Sequence, residues 1–208
     1  MSELPIAVTT GPLTRPCADA VRRLLAEQER PVREYVTDGA GGRALEADVL
    51  AGRVAAVVDV SLAELAAELA GTAGGAGPDR LTAAALRGVP QVIVPGELDA
   101  VLGPNAPPDR PVIAHDRQWY RPTTLEECDE LGREIANKAS ASRGPVVILV
   151  PRGGFSELHR PFALAGPAGA LVQSLRNWVS PSVQVRELNL HVNDPEFAAA
   201  AVAALNGL

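Results

Sequence analysis

Aromatic residues are scarce: Phe, Trp and Tyr together make up 3% of the chain. A core built without them must be filled by Ala, Val and Leu, which lets helices approach a sheet closely. Basic blocks are absent too, and no aromatics alternate with Lys or Arg. With a formal net charge of −6, that pattern excludes the usual nucleic-acid-binding surface. The two cysteines, Cys17 and Cys128, are far apart and make no disulfide framework, so a reducing, cytoplasmic setting is expected. The three histidines, His115, His159 and His191, form no close pair and no His-Glu-x-x-His, so no metal site is expected. The chain opens on Met-Ser-Glu-Leu-Pro, without a basic start or a long apolar run. Neither a signal peptide nor a membrane-spanning segment is expected. The most apolar stretch, Leu62 to Ala70, carries Glu64 and Glu68 and reads as one face of a helix. There is no internal repeat.

What is present is a regular alternation. Hydrophobic residues make up 47% of 208, enough for one sizeable domain. Strands are expected at Pro5–Val8, Val32–Val36, Val54–Val58, Gln91–Val94, Pro111–Ala114, Pro145–Val150 and Val183–Leu190. Helices are expected at Cys17–Gln28, Arg43–Leu50, Leu62–Leu69, Leu81–Arg87, Leu125–Ala139, Ala168–Trp178 and Pro195–Leu205. The runs IAV, VAAVV and VVILV are apolar throughout, as strands buried on both faces require. The expected fold is therefore α/β: a doubly wound, mainly parallel sheet of about five to seven strands with helices on both faces, Rossmann- or flavodoxin-like. The Pro-, Gly- and Asp-rich stretch from Gly96 to Pro111 reads as a loop across the sheet edge or a lid.

In such sheets ligands bind beyond the carboxyl ends of the strands, and nearly every carboxyl end here leads into a polar or Gly-rich loop. Gly39–Gly42 leads into a helix near Arg43, and Gly71–Pro78 into another near Arg80. Glycines permit close backbone approach, and helix N-termini attract anions. Neither loop matches a P-loop or a GxGxxG fingerprint, and a tight connection without ligand explains each equally well. In His191-Val192-Asn193-Asp194-Pro195, Asp194 reads as an N-cap and Pro195 as the first helical residue. His191, at a strand end, is an acid/base candidate or a buried hydrogen-bonded His. Ser156 follows two glycines but not in a Gly-x-Ser-x-Gly elbow; it is a nucleophile candidate or a cap. Cys17, at a helix start, is a thiolate candidate or a small buried residue.

Several longer segments bear a family resemblance. GAGGRALE (Gly39–Glu46), VDVSLAELAAEL (Val58–Leu69), GPDRLTAAALRGVPQVIVPGELD (Gly77–Asp99) and HVNDPEF (His191–Phe197) resemble the second half of the Tm-one-like family. That family takes its name from a plant protein that inhibits tobamovirus replication. The resemblance also takes in Thr10–Cys17, Arg121–Gly132 and Gly144–Ser156, and so runs through essentially the whole chain. It implies a two-half protein whose ATP contacts lie chiefly in the first half, which this chain is expected to lack; ATP is the only cofactor it suggests. The motif positions it carries over are Gly41, Gly42, Arg43, Glu46, Gly77, Arg80, Asp99, His115, Ser156, His191, Asn193 and Asp194. Departures stand at Val36, where the family usually has His, in the Asp-Arg-Gln-Trp-Tyr-Arg-Pro run after His115, and at His159, where it often has Asp. They imply a specialised substrate or an altered activity.

Two functions are compatible with these residues. The first is an enzyme acting on a small anionic or carbonyl-bearing metabolite by hydrolysis or carbon–carbon cleavage. His191, Ser156, Asn193 and Cys17 are its catalytic candidates; Gly41, Gly42, Arg43, Glu46, Gly77, Arg80, Asp99 and His115 its substrate- or anion-binding ones. Arg43, Arg80, Ser156 and His191 are then expected to face one crevice. The second is a non-catalytic, nucleotide- or partner-binding regulatory half that pairs with a separate first-half subunit. Either way a homodimer is expected, since the missing half would leave a surface uncovered.

Overall fold

The structure is a computed structural model that describes residues 3–103, 112–158 and 166–208. Six strands form one all-parallel sheet: β1 (Ile6–Thr10), β2 (Val32–Val36), β3 (Ala56–Asp59), β4 (Gln91–Ile93), β8 (Val146–Pro151) and β9 (Gln184–Leu188), in the order β2-β1-β3-β4-β8-β9. The chain runs outward from β1 to β2, then returns to add β3 on the other side of β1. The carboxyl ends of β1 and β3 thus flank a topological switch point, where adjacent loops diverge and leave a crevice.

The period-two alternation of each strand sorts its residues between two helical layers. Ile6, Val8, Val58, Val92, Val147 and Leu149 pack beneath α1 (Arg15–Glu27) and α7 (Pro195–Asn206). On the opposite face, Ala7 and Val57 meet α2 (Ala40–Leu50) and α4 (Ala83–Arg87), while Ile93, Ile148 and Val150 meet α3 (Ala63–Leu69), α5 (Leu125–Ser140) and α6 (Pro167–Trp178). The small residues allow this closeness. A Cβ on Gly132 of α5 would lie 2.3 Å from the Leu171 carbonyl oxygen of α6. α5 begins with a capping box: the Thr124 hydroxyl accepts from Glu127 N–H, and the Glu127 carboxylate accepts from Thr124 N–H, satisfying two donors that the helix leaves free.

The expected doubly wound α/β architecture is the one present, and most element boundaries agree within one or two residues. Two local differences have physical causes. α4 starts at Ala83 rather than Leu81, because Leu81 has a left-handed φ of 69°, incompatible with a helix. The segment following β4 contains more regular structure than a loop. β5 (Ala100–Leu102), β6 (Ile113–His115) and β7 (Gln118–Pro122) form a separate antiparallel sheet in the order β5-β7-β6. The β6–β7 hairpin turns through Asp116 and Arg117, both at positive φ, the geometry of a two-residue turn. Residues 104–111, the rest of the expected loop or lid, lie outside the described residues, as does His159. Among the described residues no helix is long and apolar enough to cross a membrane.

Candidate functional site

A cleft of about 630 Å³ opens at the switch point, within the size range of small-molecule sites. Its floor is the β1–α1 loop (Pro12, Leu13) with Arg15. One wall is Val36, Thr37 and Asp38 after β2, together with Ala63 and Ala67 of α3. The facing wall is Glu97, Ala100 and Leu102 after β4, with Asp116, Gln118 and Tyr120 of the hairpin. The small sheet therefore lines the mouth of the large one.

Glu97 is the unusual member of this lining. It is 2% exposed and has a left-handed φ of 65°, a conformation that a non-glycine residue adopts at a cost of order 1–3 kcal/mol. Its main-chain N–H donates to the Phe155 carbonyl (2.9 Å), which pins the strained turn. Its Oε1 accepts from Leu13 N–H (3.0 Å) and the Thr14 hydroxyl (2.7 Å). The Thr14 main-chain N–H adds a further hydrogen bond to this carboxylate. The carboxylate rests against Gly11, where a Cβ would lie 2.2 Å from Oε1; only glycine leaves that space. Burial pushes the Glu97 acid up to about 7, and the hydrogen bonds from Thr14 and Leu13 only partly offset it.

The helix N-termini expected to bind an anion hold the protein's own carboxylates. At α2, Gly39 and Gly42 N–H both donate to Glu64 Oε1 (2.7 and 3.0 Å), and Gly41 N–H to Asp38 Oδ1 (2.8 Å). Glu64 Oε2 in turn receives Arg80 Nε (2.7 Å), and the Arg80 terminal nitrogens grip both oxygens of Asp59 (2.7 Å each). Arg80 is 1% exposed. It does not face a crevice, because its guanidinium is the buried counter-ion of three carboxylates. The third is Glu46, at 3.5 Å, whose two oxygens accept from Leu81 and Ala83 N–H (2.7 Å each) at the start of α4. Burial opposes the charge on Arg80, but Asp59, Glu64 and Glu46 together hold its pKa above the ordinary value. Arg43 is exposed and donates to Gly75 O (3.1 Å), while Gly77 N–H donates to Glu68 (3.1 Å).

His191 and Ser156 are brought together, but through the main chain. His191 is 5% exposed; its Nδ1 accepts from Asn193 N–H (3.0 Å) and its Nε2 lies 3.0 Å from the Ser156 carbonyl oxygen. Nδ1 is thus the acceptor nitrogen and Nε2 carries the proton. The Ser156 hydroxyl donates instead to Asp99 Oδ2 (2.8 Å), so no Ser–His dyad is formed. Asn193 donates to the Leu13 carbonyl (2.9 Å) and accepts from Cys17 N–H (3.4 Å), tying the start of α7 to the cleft floor. Asp194 stands at the N-cap position before Pro195, as expected, but its carboxylate turns back to accept His191 N–H (2.7 Å) rather than capping the helix. Burial pushes the Cys17 thiol up to about 12, the opposite of an activated nucleophile. His115 lies at the hairpin, 3.8 Å from Glu157, beside a shallower depression that Arg15 and Asp116 share.

The four residues expected around one crevice thus fall into two groups. Arg43 and Arg80 belong to the α2–α4 side; Ser156 and His191 buttress the β1–α1 loop from beneath. The groups that do line the cleft, Glu97, Thr37, Asp38, Arg15 and Tyr120, were not singled out by the sequence. Thr37 and Asp38 directly follow β2 and Glu97 follows β4, so position after a parallel strand was the available signal. Among the described residues, no three His, Cys, Asp or Glu side chains form a metal-holding group.

A six-stranded parallel sheet with helices on both faces, and a small antiparallel sheet beside it, defines an α/β domain. The chain belongs to the family described as the uncharacterised protein family (UPF0261) C-terminal domain, whose model matches residues 4–208. It is 33% identical to a UPF0261 protein of Brucella suis, over 99% of this chain and 52% of that protein. It is 35% identical to one of Rhizobium meliloti, over 98% of this chain and 54% of that protein. It is also 30% identical to the ToMV resistance protein Tm-1 of Solanum lycopersicum, over 95% of this chain and 28% of that protein. The resemblance to the Tm-one-like family is therefore a true relationship, and the chain spans about half the length of the bacterial relatives it matches.

Proposed function

We propose that this domain is an enzyme of small-molecule chemistry whose substrate occupies the switch-point cleft, with Glu97 as the group that takes and returns a proton. The observation that carries this reading is the buried, left-handed Glu97 at the cleft wall, with its carboxylate tied to the β1–α1 loop. A carboxyl group that titrates near neutrality is poised for general acid–base work. The reaction class remains hydrolysis or carbon–carbon cleavage of a carbonyl-bearing metabolite, both of which need one such group. His191 and Asn193 then serve by holding the floor of the cleft, and Arg80 by fixing the loops around it.

The test is a metabolite screen by thermal shift, followed by turnover assays on the hits with wild type and Glu97→Gln. Turnover lost in Glu97→Gln, with the hit still bound, supports the reading. A Glu97→Gln protein as active as wild type would remove it. The second reading is a binding half that regulates a companion domain. Turnover by the isolated domain would dismiss it.

A further inference from the structure

Resting on the cleft reading above, we infer that the ligand of this domain is an organic cation, a small amine with a short apolar body, and not the phosphate or carboxylate compound that a doubly wound sheet ordinarily receives at this place. Three observations converge. First, the anion-binding positions are filled from within. Glu64 takes the free N–H groups of α2, and Glu97 takes Leu13 N–H just before α1. An incoming anion would meet carboxylates where such folds offer donors. Second, the cleft lining carries three carboxylates, Asp38, Glu97 and Asp116, against one guanidinium, Arg15. That guanidinium is drawn away toward Glu34 at 3.8 Å. Third, Glu97 is almost wholly buried yet lines the cleft, and the donors it takes from Leu13 and Thr14 leave lone pairs of its carboxylate for an ammonium N–H. The apolar body has its own surface in Leu13, Ala63, Ala67, Ala100 and Leu102, with Tyr120 also in the lining.

Proton linkage supports the same assignment. The groups around Glu97 are Thr14 and Leu13 from the β1–α1 loop, Asp99 from its own loop, Tyr120 from β7, and Arg15, Asp38 and Asp116 around the cleft. Burial and the Asp99 charge favour the protonated acid, and no buried cation beside it opposes them. A bound ammonium would supply that cation and expel the proton. Amine affinity therefore rises as pH increases through about 7, with uptake of a proton by the buffer.

The experiment uses three probes of one shape, benzylamine, benzyl alcohol and benzoate, with inorganic phosphate as a fourth. Each is titrated into the isotopically labelled chain while backbone amides at Leu13, Thr37, Ala100 and Tyr120 are followed by NMR. The expected result is that benzylamine binds at these amides about tenfold or more tighter than benzoate. Glu97→Gln should lose most of that preference while still binding the alcohol. Asp38→Asn, which keeps the acceptor for Gly41 N–H, should weaken the amine by a few-fold and stands in should Glu97→Gln fail to fold. Benzoate or phosphate binding as tightly as the amine would overturn the charge assignment and leave the cleft reading standing. Amine binding unchanged in both variants would overturn it equally. No shift at any of the four amides with any probe would overturn both.

Discussion

The Thr14 hydroxyl donates to Glu97 Oε1 at 2.7 Å across 83 residues of sequence, so the carboxylate that lines the cleft also clamps the loop that forms its floor. This coupling makes Glu97 visible in stability as well as in binding. Its acid is pushed by burial from the ordinary 4.5 to about 7. Between those values the folded protein keeps a proton that the unfolded chain has released, so stability falls as pH rises through this window and levels off above it. In Glu97→Gln that component vanishes. Urea midpoints of both proteins, measured from about pH 5 to about pH 8, should show the wild type losing ground to the variant as pH rises. Parallel curves would count against the buried acid.

Arg80 is the hub of the buried charges. Arg80→Met leaves Asp59 and Glu64 without a counter-ion, and removing one partner of a buried ion pair costs about 3–5 kcal/mol. Arg80→Lys should not rescue it, because a single ammonium cannot reproduce the grip on both Asp59 oxygens and on Glu64. Chemical denaturation decides the matter; a loss below about 1 kcal/mol for the Met variant would rank Arg80 among surface pairs.

His191→Ala strips a donor from the Ser156 carbonyl and an acceptor from Asn193 N–H. Leaving buried polar groups unsatisfied costs about 1–3 kcal/mol. The effect on the cleft should be indirect, so the pH dependence of ligand binding keeps its midpoint while affinity declines. Asn193→Ala should mimic it by releasing the Leu13 carbonyl. A shifted midpoint in the His191 variant would instead make the imidazole a titrating participant.

Thr124→Ala removes the α5 cap at a residue that does not itself line the cleft. Loss of such a cap costs about 1 kcal/mol, and ligand affinity should not change. Equal stability of variant and wild type in thermal melts would mean that the capping box is not maintained in solution.

The large sheet was legible because its central strands are short apolar runs and its helices carry the complementary spacing; Val146–Pro151 is buried at every position. Of the small sheet only β6 was legible, as the strand expected at Pro111–Ala114; three residues such as Ala100–Leu102 carry no period and pair with Gln118–Pro122 of the hairpin. Arg80 looked like an anion ligand because sequence reveals its charge but not the carboxylates of Asp59 and Glu64 that converge on it from two other segments. His191 was correctly placed after the last strand, yet its ring nitrogens meet the Ser156 carbonyl and Asn193 N–H, backbone atoms that no residue pattern reports. Glu97 escaped notice inside Pro95-Gly96-Glu97-Leu98-Asp99, where the punctuation suggests a turn. Its value comes from the empty space at Gly11, a contact between distant loops.

Among the described residues the three-stranded sheet shares no hydrogen-bond ladder with the six-stranded one. The cleft thus has a fixed wall, built into the parallel sheet, and a second wall seated on it through side chains such as Tyr120 against Leu13. Parts of a protein with separate hydrogen-bond networks open with separate free energies. Residence time of a ligand is then governed by the seating of the smaller unit, and heat resistance by the larger. Substitutions at Trp119 or Leu102, exposed on the smaller unit, can lengthen or shorten occupancy without touching the melting temperature, leaving two traits free to evolve independently.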